Sequence, residues 1–187
     1  HKALDFAATV GSAAKRANVR RIIYNTCCWG PPEELGEVGQ AGYDSVRLMV
    51  NMLMQGGVQT TTFQPVLFMD NLLTDWARKD ILEKDLYTYP HNPNLEASWI
   101  CLDDVAKFMI AAIDRDDLVG RCINIGGPEV FVPPRVADLL SGHFGRPIKY
   151  EELSLEHFSN RLYDIFYKDT SEEDRGGRSA DRDAFID

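Results

Sequence analysis

Apolar residues at helical spacing recur along this chain, and between them lie runs of β-branched and apolar residues too short to be anything but strands. Strands joined through helices cannot be hairpin neighbours. The alternation therefore favours an α/β fold with a mostly parallel sheet and crossover helices. Leu4, Ala7, Ala8, Ala14 and Ala17 share a helical face, and Arg21 to Asn25 (RIIYN) follows as a buried strand. Ser45 to Gln55 predicts a buried helix stopped by Gly56 and Gly57, and Val58 to Gln64 the next strand. Leu72, Leu73, Trp76 and Ile81 mark a helix, Trp99 to Leu102 a strand, and Val105, Phe108, Met109, Ala112 and Ile113 another helix. Cys122 to Ile125 is a strand ended by Gly126-Gly127-Pro128. Pro133 and Pro134 sit near the start of a helix marked by Val136, Leu139, Leu140 and Phe144. Ile148 to Tyr150 predicts an edge strand, and Leu155, Phe158, Leu162 and Ile165 a last helix.

A chain of 187 residues with 44% hydrophobic and 26% charged residues has the composition of a globular domain that buries one core. The expected division is one domain over 1–167 and, from Lys168, a charged tail expected to be mobile. A net charge of -9 disfavours nucleic acid and anionic membrane surfaces, because both would repel a chain without a basic stripe. The densest basic run, Lys15, Arg16, Arg20 and Arg21, flanks a helix end, where cations favour the negative dipole terminus. The sequence contains neither an apolar run of the ~20 residues a membrane helix needs nor a secretory signal pattern, so the expected location is the cytoplasm. Cys27, Cys28, Cys101 and Cys122 lack CxxC spacing and are expected as reduced core residues; a vicinal Cys27–Cys28 switch is the less favoured alternative.

Several patterns fail on context. Gly36, Gly39 and Gly42 satisfy GxxGxxG, yet they follow Pro31-Pro32-Glu33-Glu34-Leu35 rather than a buried strand, and Glu37 would place negative charge near phosphates. They are expected in a loop. Asp103 and Asp104 stand at a strand-to-helix junction and are expected as caps. His1, His91, His143 and His157 show no metal-binding spacing, so no zinc site is expected. Ser12, Ser98 and Ser141 lack a nucleophile elbow. Tyr87 to Leu95 (YTYPHNPNL), with Pro90 and Pro93, is expected to be irregular.

Three segments in one order carry a resemblance: TTTFQPVLFMDNLL (Thr60 to Leu73), SWICLDDVAKFMIAA (Ser98 to Ala112) and RCINIGGPE (Arg121 to Glu129). Together they resemble the carboxy-terminal half of an atypical short-chain dehydrogenase of the NmrA-like group. NVRRIIYNT resembles that family's helix exit and following strand, with Thr26 at the tip where the family has Ser or Thr. FQPVLFMDNLL is similar to its "RP..FMENLL" phrase, and LDDVA to its "DDVA". The resemblance implies a Rossmann-like, doubly wound α/β fold whose amino-terminal βαβ units are expected to be missing from this sequence. It also implies NADP or NAD as cofactor.

The same resemblance implies roles for particular residues. In the wider family a YxxxK helix follows the first of these strands, its Lys holding the nicotinamide ribose and lowering the Tyr pKa. Here Tyr43 opens YDSVR, which puts Arg47 in place of that Lys; alignment on GGVQTT instead puts Val46 there. A guanidinium is a bulky planar fork and does not replace a compact ammonium. Thr26 and Tyr43 are the candidates for proton handling, Thr26, Arg47, Pro65, Val66, Leu67 and Phe68 for cofactor binding, and Asn71, Tyr89 and His91 for the substrate side. The leading expectation is an NAD(P)-binding protein with reductase or epimerase-type hydride transfer to an unknown small molecule. The rival is a non-catalytic NAD(P)-responsive regulatory module with a protein partner or a second copy as its target.

Overall fold

The computed structural model describes residues 2–26 and 41–167. The Cys27–Cys28 pair, the Gly36 and Gly39 positions and the tail from Lys168 lie outside those residues. In chain order the elements are α1 (Lys2–Arg16), β1 (Arg21–Asn25), α2 (Ala41–Gln55), β2 (Gln59–Pro65), β3 (Leu67–Phe68), α3 (Asp75–Lys84), β4 (Leu86–Tyr89), β5 (Ala97–Ile100), α4 (Leu102–Ala111), β6 (Cys122–Ile125), β7 (Val130–Phe131), α5 (Pro133–Phe144), β8 (Lys149–Glu152) and α6 (Leu155–Tyr167). Within the span expected to form one domain, the chain falls into two compact units. One comprises residues up to Phe68 together with Ile100–Gly127, and the other Met69–Trp99 together with the residues from Pro128 onward.

The first unit is built on a parallel sheet of order β1-β2-β6, with Ile22 opposite Thr60, Asn25 opposite Phe63 and Pro65 opposite Ile125. Gly57, at φ +80, stops α2 in the left-handed region that the paired glycines predict. On α1, the small residues Ala7, Gly11 and Ala14 form a buried stripe, and a Cβ added at Gly11 would touch Leu53 of α2 at 4.0 Å. Close approach of the two helices follows from that stripe. The core is Phe63, Ile100, Val105, Ala112 and Ile125, with Ile23, Phe68, Met109, Leu118 and Ile123 packed against it.

Arg20 and Arg21 serve a helix other than the one they follow in sequence. The Arg21 side chain, 4% exposed, donates to the carbonyls of Ala112 at 3.0 Å and Ile113 at 2.8 Å, just past the carboxyl end of α4, and pairs with Asp116. Arg20 pairs with Asp114 in solvent. The cation–dipole reading holds for Lys15 and Arg16 in the last turn of α1, and Arg21 extends it to a helix end 91 residues away in sequence.

The second unit pairs β4 with β8 in parallel, Tyr87 opposite Tyr150, and β5 with β7 antiparallel. Leu86–Tyr89 therefore corrects the expectation of irregular structure over Tyr87 to Leu95. Prolines at 90 and 93 end the strand without entering it, and a residue before proline favours extended backbone. Leu72 and Leu73 lie in a 3-10 turn, Met69–Leu73, ahead of α3. Asp103 and Asp104 correct a second expectation: Cys101 occupies the N-cap position, without a side-chain cap bond, and both carboxylates fall in the first turn of α4. There they complement the helix dipole, and Lys107 at 2.8 Å holds the Asp104 carboxyl below its usual range. Cys122 is exposed and Cys101 half-buried, so neither is a core residue; the end of a strand leaves its side chain at the sheet margin.

A buried ion network ties α3, β4 and α6 together. Asp80, 5% exposed, accepts from Arg161 at 2.7 Å, Thr88 at 2.9 Å and Lys84 at 2.8 Å, and Arg161 also donates to the Trp76 carbonyl. Burial alone would raise the Asp80 pKa, but Lys84, Thr88 and Arg161 together hold it below 3.8.

Asp80→Asn is expected to cost about 3 kcal/mol in urea denaturation, because it leaves Arg161 facing a neutral amide in the interior. The folded-state pKa lies below the unfolded 3.8, so this contribution is complete above 3.8 and is lost as pH falls through the folded value. The stability gap between wild type and Asp80→Asn should therefore stay constant from neutrality to roughly pH 5 and close in acid. In the first unit, Arg21→Ala should cost about 2 kcal/mol, since a buried side chain and its bonds to the Ala112 and Ile113 carbonyls are lost, whereas the exposed Arg20→Ala should cost under about 0.5.

Candidate functional site

In open α/β sheets ligands bind outside the carboxyl ends of the strands, because helix starts and chain reversals converge there. The first unit has one such edge. The Thr26 N–H donates to the Phe63 carbonyl at 3.1 Å, and the Val66 N–H to the Ile125 carbonyl at 3.2 Å. These two bonds carry the ladder past the ends of β1 and β2 and set Thr26, Val66 and Gly126 along the rim. Since β1 and β2 are parallel, the α2 crossover runs back against them, and its first turn starts at the same end.

Thr26 is 5% exposed, and its hydroxyl donates to the Phe63 carbonyl at 3.3 Å. That bond turns it toward the sheet. Pro65 is fully buried, and Phe68 leans on the core around Phe63. Val66, 36% exposed, and the half-buried Leu67 are left as the apolar members of the rim. Tyr43 lies in the first turn of α2 and is 38% exposed, as expected of a residue at a helix start. Arg47, one turn on, reaches the Asp44 carboxylate at 3.4 Å, and both of these side chains are largely covered. The guanidinium that takes the place of the family's Lys in YDSVR is thus engaged with a neighbouring acid.

The remaining predicted positions belong to the second unit. Asn71 is half-buried in the 3-10 turn, where its carbonyl accepts the Thr74 hydroxyl at 2.6 Å. Tyr89 is buried, its ring 5.1 Å from Trp76, 5.4 Å from Phe158 and 4.3 Å from the His91 imidazole. His91 is half-buried, and that burial lowers its pKa below 6.5. The sequence analysis missed Tyr150, whose hydroxyl donates to the carbonyls of Tyr89, at 3.0 Å, and His91. It also missed the Asp80–Arg161 pair. Both depend on partners 59 or more residues apart in sequence, and no local pattern marks them. Among the described residues no cluster of three or more His, Cys, Asp or Glu could hold a metal ion, and no helix is long and apolar enough to cross a membrane.

Comparison with known proteins agrees with this architecture. The chain is 27% identical over 145 residues to the NAD(P)H azoreductase of Xenophilus azovorans, a stretch covering 78% of this chain and 48% of that protein. It thus spans about half the length of that relative. Among solved structures, it superposes on the Escherichia coli NADPH-dependent quinone oxidoreductase complexed with NADPH with a TM-score of 0.68 at 19% identity, over 85% of this chain and 53% of that one. For the Citrobacter sp. triphenylmethane reductase complexed with NADP(H) the TM-score is 0.65 at 16% identity, over 96% and 60%. Both likenesses establish a Rossmann-like fold. The NmrA-like family model matches residues 4–173, and on that match the chain belongs to the NmrA-like family.

Proposed function

We propose that this chain carries the nicotinamide-side half of an NAD(P)-dependent reductase. The observation that carries the reading is the rim of the parallel sheet, where Thr26, Val66 and Leu67 adjoin the end at which the Tyr43–Arg47 turn begins. An apolar rim bordered by a hydroxyl and a cation fits the ring-and-ribose end of a dinucleotide. Val66 and Leu67 would pack on the ring, Arg47 would meet the ribose or its phosphate, and Pro65 and Phe68 would hold the rim from within. The relatives support this reading, since they are described as reductases of azo compounds, quinones and triphenylmethane dyes that use NAD(P)H. Epimerases of nucleotide sugars share the fold as well.

When bound, the reduced dinucleotide supplies a hydride, and the acceptor then needs one proton. In this chain the Tyr43 hydroxyl, partly exposed at the helix start, is the group placed to give it. Thr26 would orient rather than donate, because its proton is directed at the Phe63 carbonyl. For Asn71, Tyr89 and His91, which belong to the second unit, the acceptor-side role is proposed on the family resemblance, with Tyr89 acting through its packing on His91. A second reading, a non-catalytic NAD(P)-responsive module, draws on one specific observation: Arg47 is paired with Asp44 and cannot lend the phenol the compact charge that a Lys would.

One measurement tests the dinucleotide binding that both readings share, and a second separates them. Titration of the 187-residue chain with NADPH in a calorimeter should give binding weaker than micromolar, because the cation placed at this rim, Arg47, is already paired with Asp44. Steady-state oxidation of NADPH with a quinone or azo acceptor decides between the two readings: a reductase should turn the acceptor over and lose more than about tenfold in rate in Tyr43→Phe, whereas the regulatory module should turn it over slowly, with Tyr43→Phe changing the rate by less than about tenfold. A collapse by several orders of magnitude in Tyr43→Phe would make this hydroxyl the general acid and remove the regulatory reading.

A further inference from the structure

We infer that Tyr150 is a positioning residue for the His91 segment: through its hydroxyl it fixes how the His91 imidazole is presented to an acceptor. This rests on the reading of His91 as an acceptor-side residue. The strand β4 ends at Tyr89, and Pro90, without an N–H, cannot continue the ladder. From there the chain turns back. Its far end is closed by its own bonds, the Asn94 N–H to the Asn92 side chain at 2.8 Å and the Leu95 N–H to the Asn92 carbonyl at 2.9 Å. The near end is held by Tyr150, whose single proton is shared between the carbonyls of Tyr89 and His91. The Tyr89 carbonyl also accepts the Leu153 N–H at 3.0 Å, so both of its lone pairs are engaged.

Tyr150 is itself fixed. Its ring lies 5.5 Å from that of Tyr87, which is fully buried beneath it. Burial, with the nearby Glu152 carboxylate, pushes the Tyr150 phenol up to about 12, so it remains a donor through the physiological range. The consequence reaches the imidazole. With its carbonyl anchored, His91 sets its ring edge-on to Tyr89 at 4.3 Å, half-buried and neutral. A neutral imidazole offers one N–H and one lone pair in a fixed direction. Such a group suits an uncharged, flat acceptor bearing a lone-pair atom, such as a quinone oxygen or an azo nitrogen, and disfavours an anionic one.

Tyr150→Phe tests this, because it keeps the ring against Tyr87 and removes only the hydroxyl. In the 187-residue chain, NMR titration of the His91 ring should show its pKa rising toward 6.5 as the segment loosens. In steady-state assays, KM for 1,4-benzoquinone should rise about tenfold, with kcat and the affinity for NADPH within about twofold of wild type. Thr88→Val removes a buried hydroxyl from the same strand without touching the His91 carbonyl, and should leave the His91 titration and KM unchanged. A His91 titration in Tyr150→Phe that superimposes on wild type overturns the inference, as does an unchanged KM. If no acceptor is turned over at all, the reductase reading fails, and the NMR titration alone still decides whether Tyr150 positions His91.

Discussion

Both ladders of the parallel sheet pass through one strand, β2, and its side chains hold the first unit in register. Thr60, Thr61 and Thr62 are all buried, an unusual cost for three hydroxyls in the centre of a sheet. Two of them are met by backbone. Thr60 donates to Leu53 and Val58, fastening the end of α2, and Thr61 donates to Leu118 at 2.8 Å, fastening the connection into β6. Threonine is β-branched and suits a strand, yet here it also ties that strand to the end of α2 and to the connection into β6. Strand β6 ends level with β2, Ile125 opposite Pro65, while β1 ends earlier, Asn25 opposite Phe63, so that Thr26 follows beside the last rung of the ladder. The rim carrying Thr26 and Val66 follows from this alignment.

The second unit solves the same problem with charge. Its short strands β4 and β8 cannot exclude much water by themselves, and the Asp80–Arg161 pair bridges the elements that flank them. A buried ion pair contributes little net stability against a well-packed apolar replacement, but it penalises every arrangement that leaves one partner alone. Asp80 is bonded by three donors, so the arrangement of α3, β4 and α6 is specified sharply. The aromatic rings of Trp76, Tyr89 and Phe158 fill the adjoining space at centroid separations of 5.1 to 5.4 Å.

At the rim, a short-range electrostatic choice shapes the chemistry. Tyr43 and Arg47 are one helical turn apart, the spacing at which a cation could serve a phenol. Asp44 intervenes: its carboxylate lies 3.4 Å from the guanidinium, and both are shielded enough from solvent for the attraction to outlast screening by salt. Arg47 therefore carries its own counter-ion. A guanidinium engaged in this way does little to activate the neighbouring hydroxyl.

Much of the fold was legible because its signals are local. Helical periodicity, the glycine stop at Gly57, the proline start of α5 and the Gly126-Gly127 end of β6 each follow from backbone chemistry within a few residues. The placement of Thr26 at a strand tip and of Tyr43 in a first helical turn was legible for the same reason. The tertiary structure alone decided that Leu86–Tyr89 forms a strand, that Arg21 caps a helix far along the chain, and that Pro65 and Phe68 face inward while Val66 faces out. It also decided that the Tyr150 hydroxyl closes on His91. Each of these depends on a partner distant in sequence. A side chain's type fixes what it can bond, but only the packed chain fixes which partner it reaches.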